Sequence, residues 1–134
     1  MTSWRRAAHL ASPYLLAALL GGAGALHLLR PESFEGLIPP FLPNARAWTY
    51  GSGVVELACA VAVALPRSRR AGGLAAAVLF VAVFPGNLYQ AIEPGAVPRW
   101  LALARLPLQV PLVLWALQVA NFLPSTGRRA RAGR

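Results

Sequence analysis

Four stretches of this chain stay apolar for about the length that a bilayer demands. Residues 7–29, 71–92 and 106–127 contain no Asp, Glu, Lys or Arg, and residues 47–66 contain only Glu56. Each stretch reaches the roughly 20 residues that cross a hydrocarbon core of about 30 Å as a helix. The pattern predicts an all-α integral membrane four-helix bundle with spans at about 11–29, 48–65, 71–92 and 103–123. One domain then covers residues 1–125, and 126–134 forms a basic tail held at an anionic membrane surface.

The punctuation between the runs refines this picture. Trp4, Arg5 and Arg6 ahead of an apolar run resemble a signal peptide, with Ala23, Gly24 and Ala25 as a cleavage site. The run outlasts a signal core and three more follow, so an uncleaved first helix is expected, with Ala17, Gly21 and Ala25 as a small-residue stripe for a neighbouring helix. The first loop holds Leu37, Ile38, Pro39, Pro40, Phe41, Leu42 and Pro43, whose prolines forbid regular helix or a central strand. It is expected to lie on the membrane surface or fold over the bundle mouth, anchored by Phe34, Phe41 and Trp48, with a plain interfacial connector as the alternative. Pro66 stops the second span, and Pro85 is expected to kink or break the third. Pro107 and Pro111 deprive the carbonyls of Leu103 and Pro107 of their helical donors, which membrane depth tolerates only under protein or water.

Composition agrees with lipid as the solvent. Of 134 residues 57% are hydrophobic and 13% charged, about half the charged share of a soluble domain, and mean hydropathy is +0.52. The net charge of +9 comes entirely from arginine, which with abundant Ala, Gly and Pro suggests a GC-rich bacterial genome and hence the bacterial cytoplasmic (inner) membrane. Nine arginines fall at the termini and the 66–70 loop, against four (Arg30, Arg46, Arg99 and Arg105) on the other side. The positive-inside rule puts both N and C termini in the cytoplasm, a sufficient cause for the basicity, so no nucleic acid is expected as partner. Cys59 is the sole cysteine, which excludes an intramolecular disulfide and a cysteine-based metal cluster. His9 and His27 lie on opposite sides by this topology, so no metal is expected.

The candidate chemistry is the set of polar side chains inside the apolar runs. At about 1.5 Å per residue, Glu56 lies roughly 12 Å below Trp48, Gln109 about 13 Å below Trp100, Asn87 about 9 Å from Glu93 and His27 about 5 Å from Arg30. Each helix thus brings one such group to the outer leaflet, and a compact bundle would gather them around an outward pocket. Ser52, Glu56 and Cys59 share a helix face. A carboxylate at this depth costs several kcal/mol unless paired, and Arg105 is the cation expected to pair with Glu56. The candidate site is His27, Ser52, Glu56, Asn87, Arg105 and Gln109. Interhelical glue remains the alternative for Glu56, Asn87, Gln90 and Gln109, simple solvation near the interface for His27, and simple packing for Cys59.

One ordered set of residues resembles a known family. His27, Pro31, Phe34, Ile38, Pro39, Pro40, Leu42 and Pro43 are followed by Tyr50, Gly51, Ser52, Gly53, Glu56 and Leu57. Pro66 and Arg69, then Phe84, Pro85 and Asn87, then Arg105, Leu106, Pro107, Leu108, Gln109 and Trp115 complete it. From about Gly21 to Ala120 this looks like the DoxX-like small bacterial membrane proteins, with departures at Leu28 and Gly86. The resemblance implies four membrane helices and an association with membrane redox chemistry, including thiosulfate–quinone oxidoreduction and thiol partners. The expected function is a membrane subunit whose pocket takes a quinone or other small ligand, with a redox partner protein supplying electrons and no self-contained catalytic centre. A non-catalytic scaffold or assembly factor and a small permease are the alternatives, and a homo-oligomer stays open.

Overall fold

A computed structural model describes residues 2–93, 95 and 97–121, and the expected basic tail at 126–134 lies outside the described residues. Among the described residues every regular element is helical: α1 Ser3–Leu29, α2 Glu32–Glu35, α3 Ala45–Ala64, α4 Arg69–Ala82, α5 Phe84–Ile92 and α6 Arg99–Val119. Four apolar helical spans, Ala7–Leu29, Ala45–Ala64, Arg69–Ile92 and Arg99–Val119, are each long enough to cross a membrane.

The ends of the helices depart from the apolar runs where local chemistry intervenes. α3 starts at Ala45, ahead of Trp48, because the Asn44 side chain accepts a hydrogen bond from the Ala47 N–H at 3.2 Å. Asn44 is left-handed (φ 56°), a conformation that asparagine tolerates better than most residues. The indole of Trp48 donates to the Pro43 carbonyl at 3.0 Å, fastening the loop to the first turn of α3. The proline-rich loop is not wholly irregular: α2 forms one turn behind Pro31, before the prolines begin.

The third span breaks at Val83, where Pro85 opens a new helix, α5. A proline at a helix start loses nothing, since that N–H has no intrahelical acceptor. α6 by contrast runs unbroken through Pro107 and Pro111. At the opposite end of the bundle the last carbonyls of α3 are closed by side chains. Ser68 Oγ donates to Ala62 O at 2.9 Å, and Arg69 donates from Nε to Val63 O at 2.9 Å and from Nη2 to Ala64 O at 3.1 Å. The guanidinium also lies over the Tyr14 ring, 5.2 Å from its centroid.

α3 packs between α1 and α4, α6 packs on α4 and α5, and α6 touches α1 to close the ring. The core is built of small and medium side chains: Leu16, Leu20, Cys59, Ala60, Val63, Ala76, Ala77, Phe80, Ala116 and Val119. Glycines set the spacing. A Cβ at Gly72 would sit 2.7 Å from Val63 N, and one at Gly73 would sit 2.8 Å from Ala116 O. Large apolar side chains point outward instead, among them Leu19, Val54, Val61, Val78, Val81, Leu103, Val110 and Leu114. Small residues where the backbones meet is the arrangement for helices that pack in lipid, where close backbone approach replaces the hydrophobic effect between them. Trp115 Nε1 donates to Ser12 Oγ at 2.8 Å, joining α6 to α1.

Candidate functional site

The six expected side chains gather into two places. The first lies where α1 crosses α3. A Cβ at Gly24 would come 2.8 Å from Gly53 O and 3.1 Å from Glu56 Cβ, and one at Gly53 would come 2.9 Å from His27 Cβ. Two facing glycines therefore let the helices touch, and the contact sets the imidazole of His27 against the carboxyl of Glu56. Both side chains are only 12% exposed. Phe34, on α2, stacks on the imidazole with ring centroids 3.8 Å apart and planes 24° apart, and so roofs the pair. Ser52, one turn from Glu56 on α3, is half-buried.

His27 Nδ1 lies 2.8 Å from Ala23 O and 2.9 Å from Glu56 Oε2. A carbonyl oxygen only accepts, so the contact with Ala23 O is a hydrogen bond in the tautomer that carries its hydrogen on Nδ1. That hydrogen cannot serve a second acceptor in full, and Oε2 is buried without a hydrogen bond of its own. Proximity and bonding thus differ here: the pair is in ion-pair range, yet the carboxyl is short of a donor.

The second place lies between α5 and α6, beside the break at Val83. Gln109, buried, donates from its amide to the carbonyl of Phe80, the last turn of α4 before the break. Its amide oxygen accepts from Asn87 Nδ2 at 3.1 Å. Arg105, one turn along the same face of α6, donates from Nη1 to Gln90 Oε1 at 2.9 Å. Gln90 is 4% exposed. A groove of about 280 Å³ opens beside this cluster on the outer face of the bundle, lined by Val81, Phe84, Leu106, Gln109, Val110, Val113 and Leu114. Its walls are apolar and Gln109 is its one polar group.

The expected Glu56–Arg105 ion pair is therefore not formed. Glu56 turns toward α1 across the two glycines, whereas Arg105 belongs to α6, whose neighbours are α4, α5 and α1. Equal depth did not mean a shared cavity. Two ion pairs among the described residues are His27–Glu56 and the exposed Arg46–Glu35 contact at 2.6 Å. Also among the described residues, no group of three or more His, Cys, Asp or Glu side chains is placed to hold a metal ion.

Sequence reasoning missed three participants. Gln90 stands three residues beyond Asn87 and was legible as polar, but not as the partner of Arg105. Phe34, expected as a membrane anchor, stacks on His27 instead. Gly24 carried no signal beyond its size. Gly86 gains a reason: a Cβ there would lie 2.9 Å from Leu37 O, so the first loop packs directly against α5.

No curated protein and no solved structure matches the chain. Residues 16–120, nearly all of the helical bundle, match a family described as a domain of unknown function (DUF8561), and the chain belongs to that family.

Proposed function

We propose that this is a multi-pass protein of a bacterial cytoplasmic membrane, with cytoplasmic termini, that binds a lipid-soluble carbonyl ligand such as a quinone and serves a redox partner in the manner of DoxX-like proteins. The observation that carries the reading is the apolar groove floored by Gln109. An amphipathic ligand dissolved in the bilayer reaches such a groove sideways, and its ring or chain lies on Val110, Val113 and Phe84. Gln109 is held by Phe80 O and Asn87, which leaves one amide N–H and one oxygen lone pair to meet a ligand carbonyl or hydroxyl. Electrons come from the partner, since the chain holds a single buried thiol.

Binding of a short-chain menaquinone or ubiquinone analogue to the purified protein in lipid nanodiscs tests this reading. Saturable quenching of tryptophan fluorescence is expected, weakened at least tenfold by Gln109→Leu. Absence of binding by both analogues sinks it. A second reading, a scaffold that docks a partner through the first loop, is favoured by Phe41, which is 80% exposed. Replacing Phe41 with serine would then abolish copurification of that partner while leaving quinone binding unaffected.

A further inference from the structure

The His27–Glu56 pair has no part in the groove, and it goes beyond the reading just given. We infer that the pair is a one-proton binding site, exchanging with water at the 30–44 end of the bundle through a cover formed by Phe34.

Two ionisable groups stand at bonding distance inside an apolar bundle. Around His27 Nδ1 stand two acceptors, Ala23 O at 2.8 Å and Glu56 Oε2 at 2.9 Å, and Oε2 is buried without a bond. With Glu56 ionised and His27 neutral, the pair carries one negative charge in an apolar bundle, a costly state. One proton removes that charge. Placed on Oε2, it gives an O–H that donates to Nδ1, with the ring hydrogen moved to Nε2 and the bond to Ala23 O given up. Placed on Nε2, it makes an imidazolium beside a carboxylate, with the Nδ1 hydrogen between Ala23 O and Oε2. Either way the loaded pair is neutral, and the proton is drawn from and returned to water, so charge and atoms balance.

Gly24 and Gly53 fix the two groups at bonding distance, because a Cβ at either would collide with the opposite helix. The direction of exchange follows from what covers the pair. Core side chains close the side toward Ala60 and Val63. On the other side stands Phe34, stacked on the imidazole at 3.8 Å and carried by a single turn of helix between Pro31 and Gly36. Other titratable groups on the neighbouring elements do not offer that proton. Cys59 is buried one turn further along α3. Glu35 is paired with Arg46, Glu32 is exposed on α2, and Arg30 is exposed at the end of α1. Arg69 is bonded to the far end of α3, Arg70 starts α4 at that same end, and Arg105 is bonded to Gln90.

Infrared difference spectra of the full-length protein in nanodiscs, recorded between acid and alkaline pH, test the site. As pH falls, either one protonated-carboxyl band or the bands of one imidazolium are expected to appear, and to be lost in Glu56→Gln; absence of both overturns the site. Phe34→Ala should speed the deuterium shift of that signal at least tenfold, with the pH dependence kept. Persistence of that signal in Glu56→Gln overturns the assignment, and an unchanged rate in Phe34→Ala overturns the cover. Should Glu56→Gln fail to accumulate in membranes, nitrogen NMR of His27 in the unaltered protein decides. A change of tautomer or charge in step with that signal supports the site, and an imidazole that titrates independently of it, or not at all, overturns it.

Discussion

At the scale of single residues, the glycines of this bundle are not equivalent, and the difference is measurable. Gly24 and Gly53 face each other at the α1–α3 crossing, where an added methyl group would meet backbone oxygen and side-chain carbon at 2.8 to 3.1 Å. Backbone cannot move aside as the tip of a flexible side chain does, so the helices must part. We expect Gly53→Ala to lower stability by about 1–3 kcal/mol, the usual cost of overpacking, and to separate His27 from Glu56. Gly22, two residues from Gly24, has nothing within 4 Å of its would-be Cβ. Gly22→Ala should therefore be neutral or stabilising by up to about 1 kcal/mol, the difference in helix propensity. Thermal unfolding of both variants in the same detergent separates the two cases, and equal effects would contradict the crossing. The small-residue stripe at Ala17, Gly21 and Ala25 was legible from spacing, but the closest contact falls beside it, at Gly24. Spacing along one helix gives no information about which turn the other helix meets.

At the scale of elements, chain breaks are repaired by side chains from elsewhere. Pro85 lacks the donor that would reach Val81 O, the helix breaks at Val83, and beside the break the carbonyl of Phe80 accepts from Gln109 of α6. The proline was legible as a break because its chemistry is local; its repair was not, because that depends on which face of α6 meets the break. Gln109→Leu leaves the Phe80 carbonyl and Asn87 unpaired and should cost about 1–2 kcal/mol, toward the upper end of measured interhelical bonds in membranes. Pro85→Ala restores a donor to Val81 O and should straighten the span, seen as a longer distance between spin labels placed on α4 and α5. The end of α3 follows the same logic. Arg69 closes two carbonyls with two nitrogens in a fixed fork, so Arg69→Lys should destabilise nearly as much as Arg69→Gln despite keeping the charge. Full retention of the melting temperature by Arg69→Lys would show that charge alone closes the helix.

At the scale of the whole molecule, the four spans were readable because a charge-free run of such length has few other uses, whereas their mutual arrangement was not. A helix that is apolar all round has no preferred azimuth in its sequence, so depth could place Glu56, Arg105 and Gln109 at one level without saying that α3 and α6 have different neighbours. Orientation across the bilayer depends instead on charge, which can be changed without disturbing the bundle. The N-terminal end of α1, the 65–68 turn and the C-terminal end of α6 share one end of the bundle, and the 30–44 loop lies at the other. With nine arginines against four, the first end should be cytoplasmic. A fluorescent protein that folds only in the cytoplasm should therefore glow when fused after residue 134. A reporter active only outside should work when inserted near Phe41, whose exposure leaves room for it. Arg67 and Arg70 are exposed, and neutralising both reduces the asymmetry from nine against four to seven against four, while Arg69 keeps its bonds to α3. That change should leave the orientation intact, because a charge excess remains on the same side. Neutralising Arg5 and Arg6 and one tail arginine as well leaves four against four, removes the excess and should yield a mixed population, with both reporters active in one culture. A single unchanged orientation after all of these substitutions would mean that something other than arginine placement orients the chain.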